Sequence, residues 1–194
     1  MKGYHYIKRG IDIILSGMAI VILSPLLLFL CIAIKLDTPG PILFKQKRVG
    51  IHRSFFQIYK FRTMRIDTPK DVPTHMLENP EQYITKVGKF LRKTSLDELP
   101  QIFNIFKGEM SIVGPRPALW NQDDLVAERE KYGANDVTPG LTGWAQINGR
   151  DELEIPDKAR LDGEYVKHLG PWMDLKCFCL LYTSPSPRDL STSR

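Results

Sequence analysis

One long apolar stretch near the N-terminus dominates the hydrophobic pattern of the chain. Residues Ile13 to Ile34 give about 22 consecutive positions without a charged side chain, which is the length that spans a hydrocarbon core of about 30 Å as a helix. The stretch is too long for the apolar core of a cleaved signal peptide, and Lys35-Leu-Asp37 follows it instead of a small-residue cleavage site. The pattern therefore predicts a membrane helix that stays attached to the protein.

A Ser24-Pro25 pair lies in the middle of this stretch. An interior proline removes one backbone hydrogen bond and costs about 3 kcal/mol in a straight helix, while a serine hydroxyl can take up a freed backbone group where lipid offers no partner. Positive charge on both flanks favours a re-entrant helix, because a helix that spans the membrane has its excess of lysine and arginine on the cytoplasmic side only. An ordinary span kinked at Pro25 is the alternative. The basic flanking residues are Lys2, Lys8, Arg9, Lys35, Lys45, Lys47, Arg48 and Arg53.

The rest of the chain predicts a mixed fold of short strands and helices. Two stretches rich in β-branched and aromatic residues, Ile42–Val49 and Phe55–Phe61, flank Gly50 and predict a β-hairpin. Its surplus of lysine and arginine indicates phosphate partners. Residue periodicity and composition predict four further helices, over residues 81–91, 96–106, 123–132 and 157–169. We therefore expect an α+β fold with a mainly helical domain after the membrane segment.

Proline-rich and glycine-rich segments predict the loops between these elements. Asp67–Pro80 is polar and carries three prolines, Gly114–Pro117 ends any regular element, and Thr138–Gly143 is typical of a tight turn. The final Thr183–Arg194 is rich in serine, threonine and proline and has a single large apolar residue. We expect this last segment to be a disordered tail.

Composition and charge narrow the class of protein. With 194 residues, 43% hydrophobic and 25% charged, the chain has the composition of a folded protein. The net charge of +5 is concentrated in the N-terminal half and predicts a surface for phosphate or anionic lipid. The cysteines, Cys31, Cys177 and Cys179, lack the paired spacing of a metal site, so we expect them to be reduced and structural.

Two adjacent carboxylates, Asp97 and Glu98, follow Arg92 at the predicted start of a helix. Ser95-x-x-Glu98 matches a capping box, and acids in a first turn complement the helix dipole, so a purely structural interpretation is available. Local capping does not require Asp97, however. A helix start attracts phosphate, an aspartate can attack phosphorus, and a second carboxylate can hold Mg²⁺. Both interpretations stay open on this pattern alone.

Two basic positions are candidates for phosphate binding. Arg116 lies between two prolines, which makes its guanidinium preorganised for bidentate contact with phosphate. A surface arginine in a rigid turn is the alternative. Lys60, in Lys60-Phe-Arg-Thr-Met64, is either a second phosphate ligand or a solvated cation on an edge strand.

Taken together, an ordered series of motifs resembles the bacterial sugar transferases called small monotopic polyprenol-phosphate phosphoglycosyl transferases. The resemblance covers nearly the whole chain before the tail. The motifs are Lys8-Arg9-x-x-Asp12, Ser24-Pro25, Gln46-x-Arg48-x-Gly50, Lys60-Phe-Arg-Thr-Met64, Arg92-x-x-Ser95-Leu-Asp-Glu-Leu-Pro-Gln101, Met110-Ser-x-Val-Gly-Pro-Arg-Pro117 and Pro139-Gly-Leu-Thr-Gly-Trp-Ala-Gln-x-x-Gly149.

This resemblance implies a re-entrant membrane helix broken at Ser24-Pro25, at the cytoplasmic face of the bacterial inner membrane. The expected segments are a membrane helix over residues 1–36, a catalytic sugar transferase domain over 37–182, and a disordered, non-native tail over 183–194. The tail stands where the family pattern continues with another basic amphipathic helix.

The resemblance also implies the chemistry. The family aspartate, at Asp97 here, attacks the β-phosphate of a UDP-sugar, releases UMP and holds the sugar phosphate until undecaprenyl (polyprenol) phosphate removes it. Glu98 would bind Mg²⁺, while Arg92, Arg116 and Lys60 would bind phosphates. Asp174 corresponds to a further family acid.

The expected role is the initiating step of exopolysaccharide, capsule or glycan assembly. The partners are a UDP-sugar, polyprenol phosphate, inner-membrane lipids and downstream glycosyltransferases, without nucleic acid. A non-catalytic basic module that binds the membrane surface is the rival from another class, and a Mg²⁺-dependent phosphatase using the same aspartate is a third possibility. The pattern does not define the sugar or the oligomeric state.

Overall fold

A computed structural model describes residues 3–68, 80–149 and 153–183. Most of the predicted Asp67–Pro80 loop and nearly all of the predicted tail lie outside the described residues. Within the described residues the fold combines helices with two small sheets, as the α+β prediction requires.

The apolar stretch forms the longest helix, α1, over Tyr4–Asp37. Its 34 residues correspond to about 50 Å at 1.5 Å per residue. In the part of the chain that the structure describes, α1 is the one helix long and apolar enough to cross a membrane, and its most apolar window of 18 residues has a mean hydropathy of 2.7. Only 17% of its most apolar window is buried. The prediction of a long apolar N-terminal helix is therefore confirmed.

The helix is one continuous element through Pro25, so it is not divided at Ser24-Pro25 as predicted, and a bend at this pair stays a prediction. Proline has no N–H, and the carbonyl that loses its donor is that of Val21, four residues earlier. The hydroxyl of Ser24 donates to this carbonyl at 2.8 Å. Because the hydroxyl replaces the missing donor, the helix can continue past the proline. The re-entrant course through a membrane stays a prediction.

Two strands form at the predicted positions, β1 over Leu43–Val49 and β2 over Phe55–Phe61, and they pair in a two-stranded sheet. A short 3-10 turn over Ile51–Arg53 connects them. Two of its residues, His52 and Arg53, have left-handed φ angles of 52° and 57°.

The helices after the sheet begin later than their apolar spacing predicts. Helix α2 spans Lys86–Thr94, and its N-cap is Thr85, whose hydroxyl accepts a hydrogen bond from the N–H of Gly88. Helix α3 spans Gln101–Lys107 and begins directly after Pro100. The preceding stretches, Pro80–Tyr83 and Leu96–Glu98, are 3-10 turns. Over a single turn, residues three positions apart lie on one face of a 3-10 helix as they do on an α-helix, so the apolar spacing does not distinguish the two.

The C-terminal half adds four helices and a second sheet. The predicted helices at 123–132 and 157–169 are present as α4 and α6, and the apolar run near the end forms α7. The bounds are α4 Asp123–Glu130, α5 Trp144–Ile147, α6 Ile155–Lys167 and α7 Pro171–Thr183.

The second sheet pairs β3, Ser111–Val113, with β4, Gly140–Thr142, in parallel. The predicted tight turn at 138–143 is therefore partly wrong, because its centre is a strand. A Cβ at Gly140 would overlap the backbone N of Gly114. Glycine is required there by this close approach of two backbones rather than by a turn.

The described chain divides into two compact units. Of the described residues, the first contains 3–14, 47–56, 105–149 and 153–183, and the second contains 15–46, 57–68 and 80–104. In the second unit, apolar residues of α1, β2, α2 and α3 form one core: Leu27, Leu30, Ile34, Phe61, Leu91 and Ile102. In the first unit, β3, α5, α6 and α7 contribute another: Val113, Trp144, Ala145, Leu161, Tyr165, Met173 and Cys177. The division at residues 36 and 182 stays a prediction.

Polar residues at the start of α1 attach it to the rest of the first unit. The guanidinium of Arg9 donates to the carbonyls of Ile105 and Phe106 at 2.6 and 2.7 Å, which satisfies acceptors at the end of α3. The carboxylate of Asp12 accepts from the N–H of Ile112 at 3.0 Å. The Lys8-Arg9-x-x-Asp12 motif is thus an anchoring motif.

Candidate active site

Asp97 and Glu98 lie in the 3-10 turn Leu96–Glu98 between α2 and α3. The turn follows Ser95, whose φ of 57° is left-handed and ends α2. The side chain of Ser95 makes no capping hydrogen bond, so the capping-box interpretation is wrong; only its carbonyl accepts from the N–H of Glu98, at 3.3 Å. Helix capping therefore does not explain why the two carboxylates stand here.

Lys60 of β2 forms an ion pair with Glu98, with Nζ 2.8 Å from Oε1. The two side chains are 19% and 26% exposed, so solvent screens this pair less than a typical surface pair. Both residues were predicted site residues, and the structure brings them together within the second unit.

Arg92 of α2 adds a second cation to the same group of residues. Its Nε donates to the hydroxyl of Thr63 at 2.9 Å, which fixes the orientation of the guanidinium. Burial lowers the pKa of Arg92, and the nearby negative charge of Asp97 acts in the opposite direction. The guanidinium of Arg92 therefore lies close enough to the carboxylate of Asp97 for the two charges to interact.

Burial is the main cause that raises the pKa of Asp97 above the ordinary carboxyl range. Lys60 and Arg92 lower this pKa, whereas Glu98 raises it. Two carboxylates and two cations thus share one half-buried region of the second unit. Such a region can present a poorly solvated, reactive carboxylate to phosphorus while neighbouring cations receive the charge of a phosphate.

The side chains of this region offer carboxylate oxygens as ligands for Mg²⁺. The described residues contain no group of three or more His, Cys, Asp or Glu side chains arranged to hold a metal ion. Mg²⁺ in phosphoryl-transfer sites is usually bound by one or two carboxylates, with phosphate oxygens and waters completing the shell. Glu98 supplies oxygen ligands of that kind, so it fits Mg²⁺ as a partial ligand that needs the substrate.

Asp174, on α7, uses both carboxylate oxygens in hydrogen bonds within the first unit. Its Oδ2 accepts from the hydroxyl of Tyr4 at 2.7 Å and from Nζ of Lys8 at 2.6 Å. Its Oδ1 accepts from the hydroxyl of Tyr165 at 2.7 Å, where burial and the aspartate charge raise the pKa of the phenol and keep its proton in place. These contacts make Asp174 an anchor for the start of α1, and a part in the reaction stays a prediction.

Arg116, the remaining predicted phosphate ligand, belongs to the first unit, whereas the carboxylate pair belongs to the second. It lies in the loop after β3, and its carbonyl accepts a hydrogen bond from Nη2 of Arg129 at 3.0 Å. Its role as a phosphate ligand stays a prediction.

Sequence reasoning missed a residue that positions the site, Asn104 on α3. This asparagine is fully buried. Its Oδ1 accepts from the N–H of Tyr59 at 3.0 Å, and its Nδ2 donates to the carbonyl of Gln57 at 2.7 Å. Both partners are in β2, directly before Lys60. The available signal was an amide side chain in the middle of the apolar run Ile102–Phe106 of α3, a position that usually requires a specific hydrogen-bond partner.

Comparison with known proteins supplies independent information. The family described as bacterial sugar transferase matches residues 3–184. A UDP-glucose:undecaprenyl-phosphate glucose-1-phosphate transferase from Escherichia coli K12 is 41% identical, over 88% of this chain and 38% of that protein. A UDP-N-acetylgalactosamine-undecaprenyl-phosphate N-acetylgalactosaminephosphotransferase from Aeromonas hydrophila is 39% identical, over 89% and 42%.

A third relative is closer to this chain in length. The uncharacterized sugar transferase EpsL of Bacillus subtilis is 40% identical, over 90% of this chain and 84% of that protein. By contrast, the chain spans only about 40% of the length of the Escherichia coli and Aeromonas proteins. Because the family match covers almost all of the chain and the similarity to the Bacillus protein covers most of both, the chain belongs to the bacterial sugar transferase family.

Proposed function

We propose that this protein transfers a sugar 1-phosphate from a UDP-sugar to undecaprenyl phosphate and releases UMP. The observation that carries the proposal is the half-buried Asp97-Glu98 pair beside Lys60 and Arg92. The names of the relatives from Escherichia coli and Aeromonas support the donor and acceptor classes. The product would begin the assembly of an exopolysaccharide, capsule or other glycan, which downstream glycosyltransferases extend.

In the first step a carboxylate oxygen of Asp97 attacks the β-phosphorus of the UDP-sugar. A new bond forms between phosphorus and this oxygen, and the bond from phosphorus to the bridging oxygen of the diphosphate breaks. UMP leaves with the electron pair, and the sugar phosphate stays on the aspartate as an acyl phosphate. Burial favours this attack because a poorly hydrated carboxylate loses less solvation in forming the bond.

In the second step a phosphate oxygen of undecaprenyl phosphate attacks the same phosphorus. The bond to Asp97 breaks, the carboxylate is restored, and the product is a diphosphate that joins lipid and sugar. Two displacements at phosphorus replace one direct transfer between the UDP-sugar and undecaprenyl phosphate, and each has a lower activation barrier than the direct transfer.

The neighbouring residues manage negative charge in both steps. Lys60 and Arg92 bind phosphate oxygens, and Arg116 is a further phosphate ligand. Glu98, together with the donor phosphates, would hold Mg²⁺, which neutralises diphosphate charge when bound. The ion pair between Lys60 and Glu98 keeps both side chains oriented before substrate binds.

A site at the surface of a membrane suits the acceptor, whose phosphate lies at headgroup level while its isoprenoid chain stays in lipid. We propose that α1 holds the protein at the cytoplasmic face of the inner membrane by a re-entrant course. The basic residues on both flanks of the apolar stretch support this topology. The relatives carry different sugars in their names at nearly equal identity, so membership of the family leaves the donor sugar undefined.

The test is release of UMP from a panel of UDP-sugars in the presence of undecaprenyl phosphate. Wild-type protein should release UMP and form lipid-linked sugar diphosphate with at least one donor. Asp97→Asn should abolish both, whereas the matched control Asp157→Asn, at an exposed aspartate of α6, should be active. Wild-type turnover by Asp97→Asn would exclude the covalent mechanism. A product that is sugar 1-phosphate instead of lipid-linked sugar diphosphate would show that water resolves the adduct, as in a phosphatase, and complete absence of UMP would favour the non-catalytic membrane module.

A further inference from the structure

A buried ion pair joins α4 to α6 in the first unit. Nε of Arg129 donates to Oδ2 of Asp162 at 2.8 Å, and Nη2 lies 2.6 Å from the same oxygen. The side chains are only 6% and 1% exposed. Burying two charges is costly, and a well-packed apolar pair of similar volume is often at least as stabilising. The pair therefore indicates a function other than stability.

A second hydrogen bond of Arg129 indicates what that function is. Its Nη2 also donates to the main-chain carbonyl of Arg116, at 3.0 Å. Asp162 holds the planar guanidinium in one orientation, and the guanidinium in turn fixes the backbone at Arg116. The side chain predicted to bind phosphate thus projects from a backbone position that a buried charge pair controls.

The whole loop around Arg116 is fixed in the same way. Every residue from 114 to 118 makes a backbone hydrogen bond to another segment of the first unit, so the loop has little freedom to move. Besides the bond from Arg129, these are the bonds from Gly114 N–H to the Thr142 carbonyl, from Gly140 N–H to the Pro115 carbonyl, from Arg48 Nη1 to the Pro117 carbonyl and from Val49 N–H to the Ala118 carbonyl, at 2.8, 2.9, 3.0 and 2.9 Å.

We propose that Arg129 and Asp162 are positioning residues that hold Arg116 ready to bind the diphosphate of the nucleotide sugar. This inference rests on the proposed function, in which Arg116 is a phosphate ligand. A fixed backbone removes the cost of ordering the loop itself when the side chain of Arg116 orders on a ligand. Neither positioning residue touches the substrate.

The test is the affinity for UDP, which carries the diphosphate of every UDP-sugar, measured by calorimetry on the full chain. Arg129→Lys keeps the positive charge beside Asp162 but loses the planar fork that reaches the carbonyl of Arg116. Arg116→Ala should weaken UDP binding about tenfold, the effect of losing one charge-assisted contact. Arg129→Lys should weaken it by a similar factor, and the double variant should be no weaker than Arg116→Ala alone.

A matched control separates positioning from loss of stability. Leu161→Ala removes an apolar side chain next to Asp162 in the core of the same unit and should leave UDP affinity unchanged in folded protein. The inference is overturned if Leu161→Ala weakens binding as much as Arg129→Lys, if the Arg129→Lys effect is equally large in the Arg116→Ala background, or if either single arginine variant binds UDP normally. The predicted UDP pattern without UMP release from any UDP-sugar would refute the transfer reaction and leave the positioning role intact.

Discussion

Replacing Asn104 with leucine tests whether this asparagine holds β2 against α3. Leucine has the same number and branching of side-chain heavy atoms, so the substitution leaves no cavity, but it removes an acceptor and a donor. The N–H of Tyr59 and the carbonyl of Gln57 then lose partners that lie 3.0 and 2.7 Å away. Asn104 itself is fully buried, whereas its two backbone partners are partly exposed, so water can restore part of the loss.

The expected cost follows from these two bonds. A partly buried backbone group left without its partner costs about 1 kcal/mol, near the lower end of the range, so the variant should lose about 2 kcal/mol of stability. For a chain of this size 1 kcal/mol corresponds to about 2–4 °C, and the unfolding temperature should therefore fall by about 4–8 °C. UMP release should also decline, because Lys60 follows Tyr59 directly in β2.

The assay is thermal unfolding in detergent, followed by far-ultraviolet circular dichroism. The control is Asn121→Leu, at an exposed asparagine, which should unfold within about 1 °C of the wild type since surface changes have small effects. If Asn104→Leu unfolds at the wild-type temperature and keeps full activity, the two hydrogen bonds do not hold the strand in place.

Three further predictions concern other parts of the structure. Asp97→Asn should raise the unfolding temperature at pH 8, because burial raises the pKa of this carboxyl and an ionised Asp97 destabilises the folded state; the gain should disappear at pH 3, where the group is protonated in both folded and unfolded chains, and a loss of stability at pH 8 would contradict the reasoning. Ser24→Ala should destabilise the protein by about 1 kcal/mol because the carbonyl of Val21 loses its donor, whereas Ser24→Thr keeps a hydroxyl and should unfold like the wild type. A double-mutant cycle with Lys8→Met and Asp174→Asn should give a coupling energy of about 1–2 kcal/mol in unfolding, and strict additivity would show that the ion pair does not anchor α1.

The pattern of apolar and polar residues predicted helices and strands whose structure is set by residues close together in the sequence. The apolar stretch that forms α1 and the strand patterns of β1 and β2 were recognisable because side-chain periodicity reports which face is apolar. The parallel pairing of β3 with β4 was not predictable in this way. Each strand has three residues, and the pairing joins Ser111 to Gly140, 29 positions along the chain. So short a strand carries too few alternating positions to give a periodic signal.

The sequence predicted some of the candidate site residues and missed others. Asp97, Glu98, Arg92 and Lys60 were identified by residue type and by resemblance, and the structure brings them together in one unit. The capping-box interpretation failed because a pattern of residue types does not specify the left-handed backbone of Ser95. Arg129 and Asp162 were missed because they are separated by 33 residues and appear in the sequence as ordinary charged positions of two surface helices.

The central claim is that Asp97 carries the sugar phosphate on its own carboxylate, and trapping that adduct tests it most directly. Purified protein is incubated with the UDP-sugar that supports UMP release, without undecaprenyl phosphate, and then analysed by intact mass spectrometry. The account predicts an increase equal to one sugar phosphate, located at Asp97 by peptide mapping and removed when undecaprenyl phosphate is added. A wild-type protein that releases UMP and forms lipid-linked product but never gains this mass, or gains it at another residue, would contradict the account.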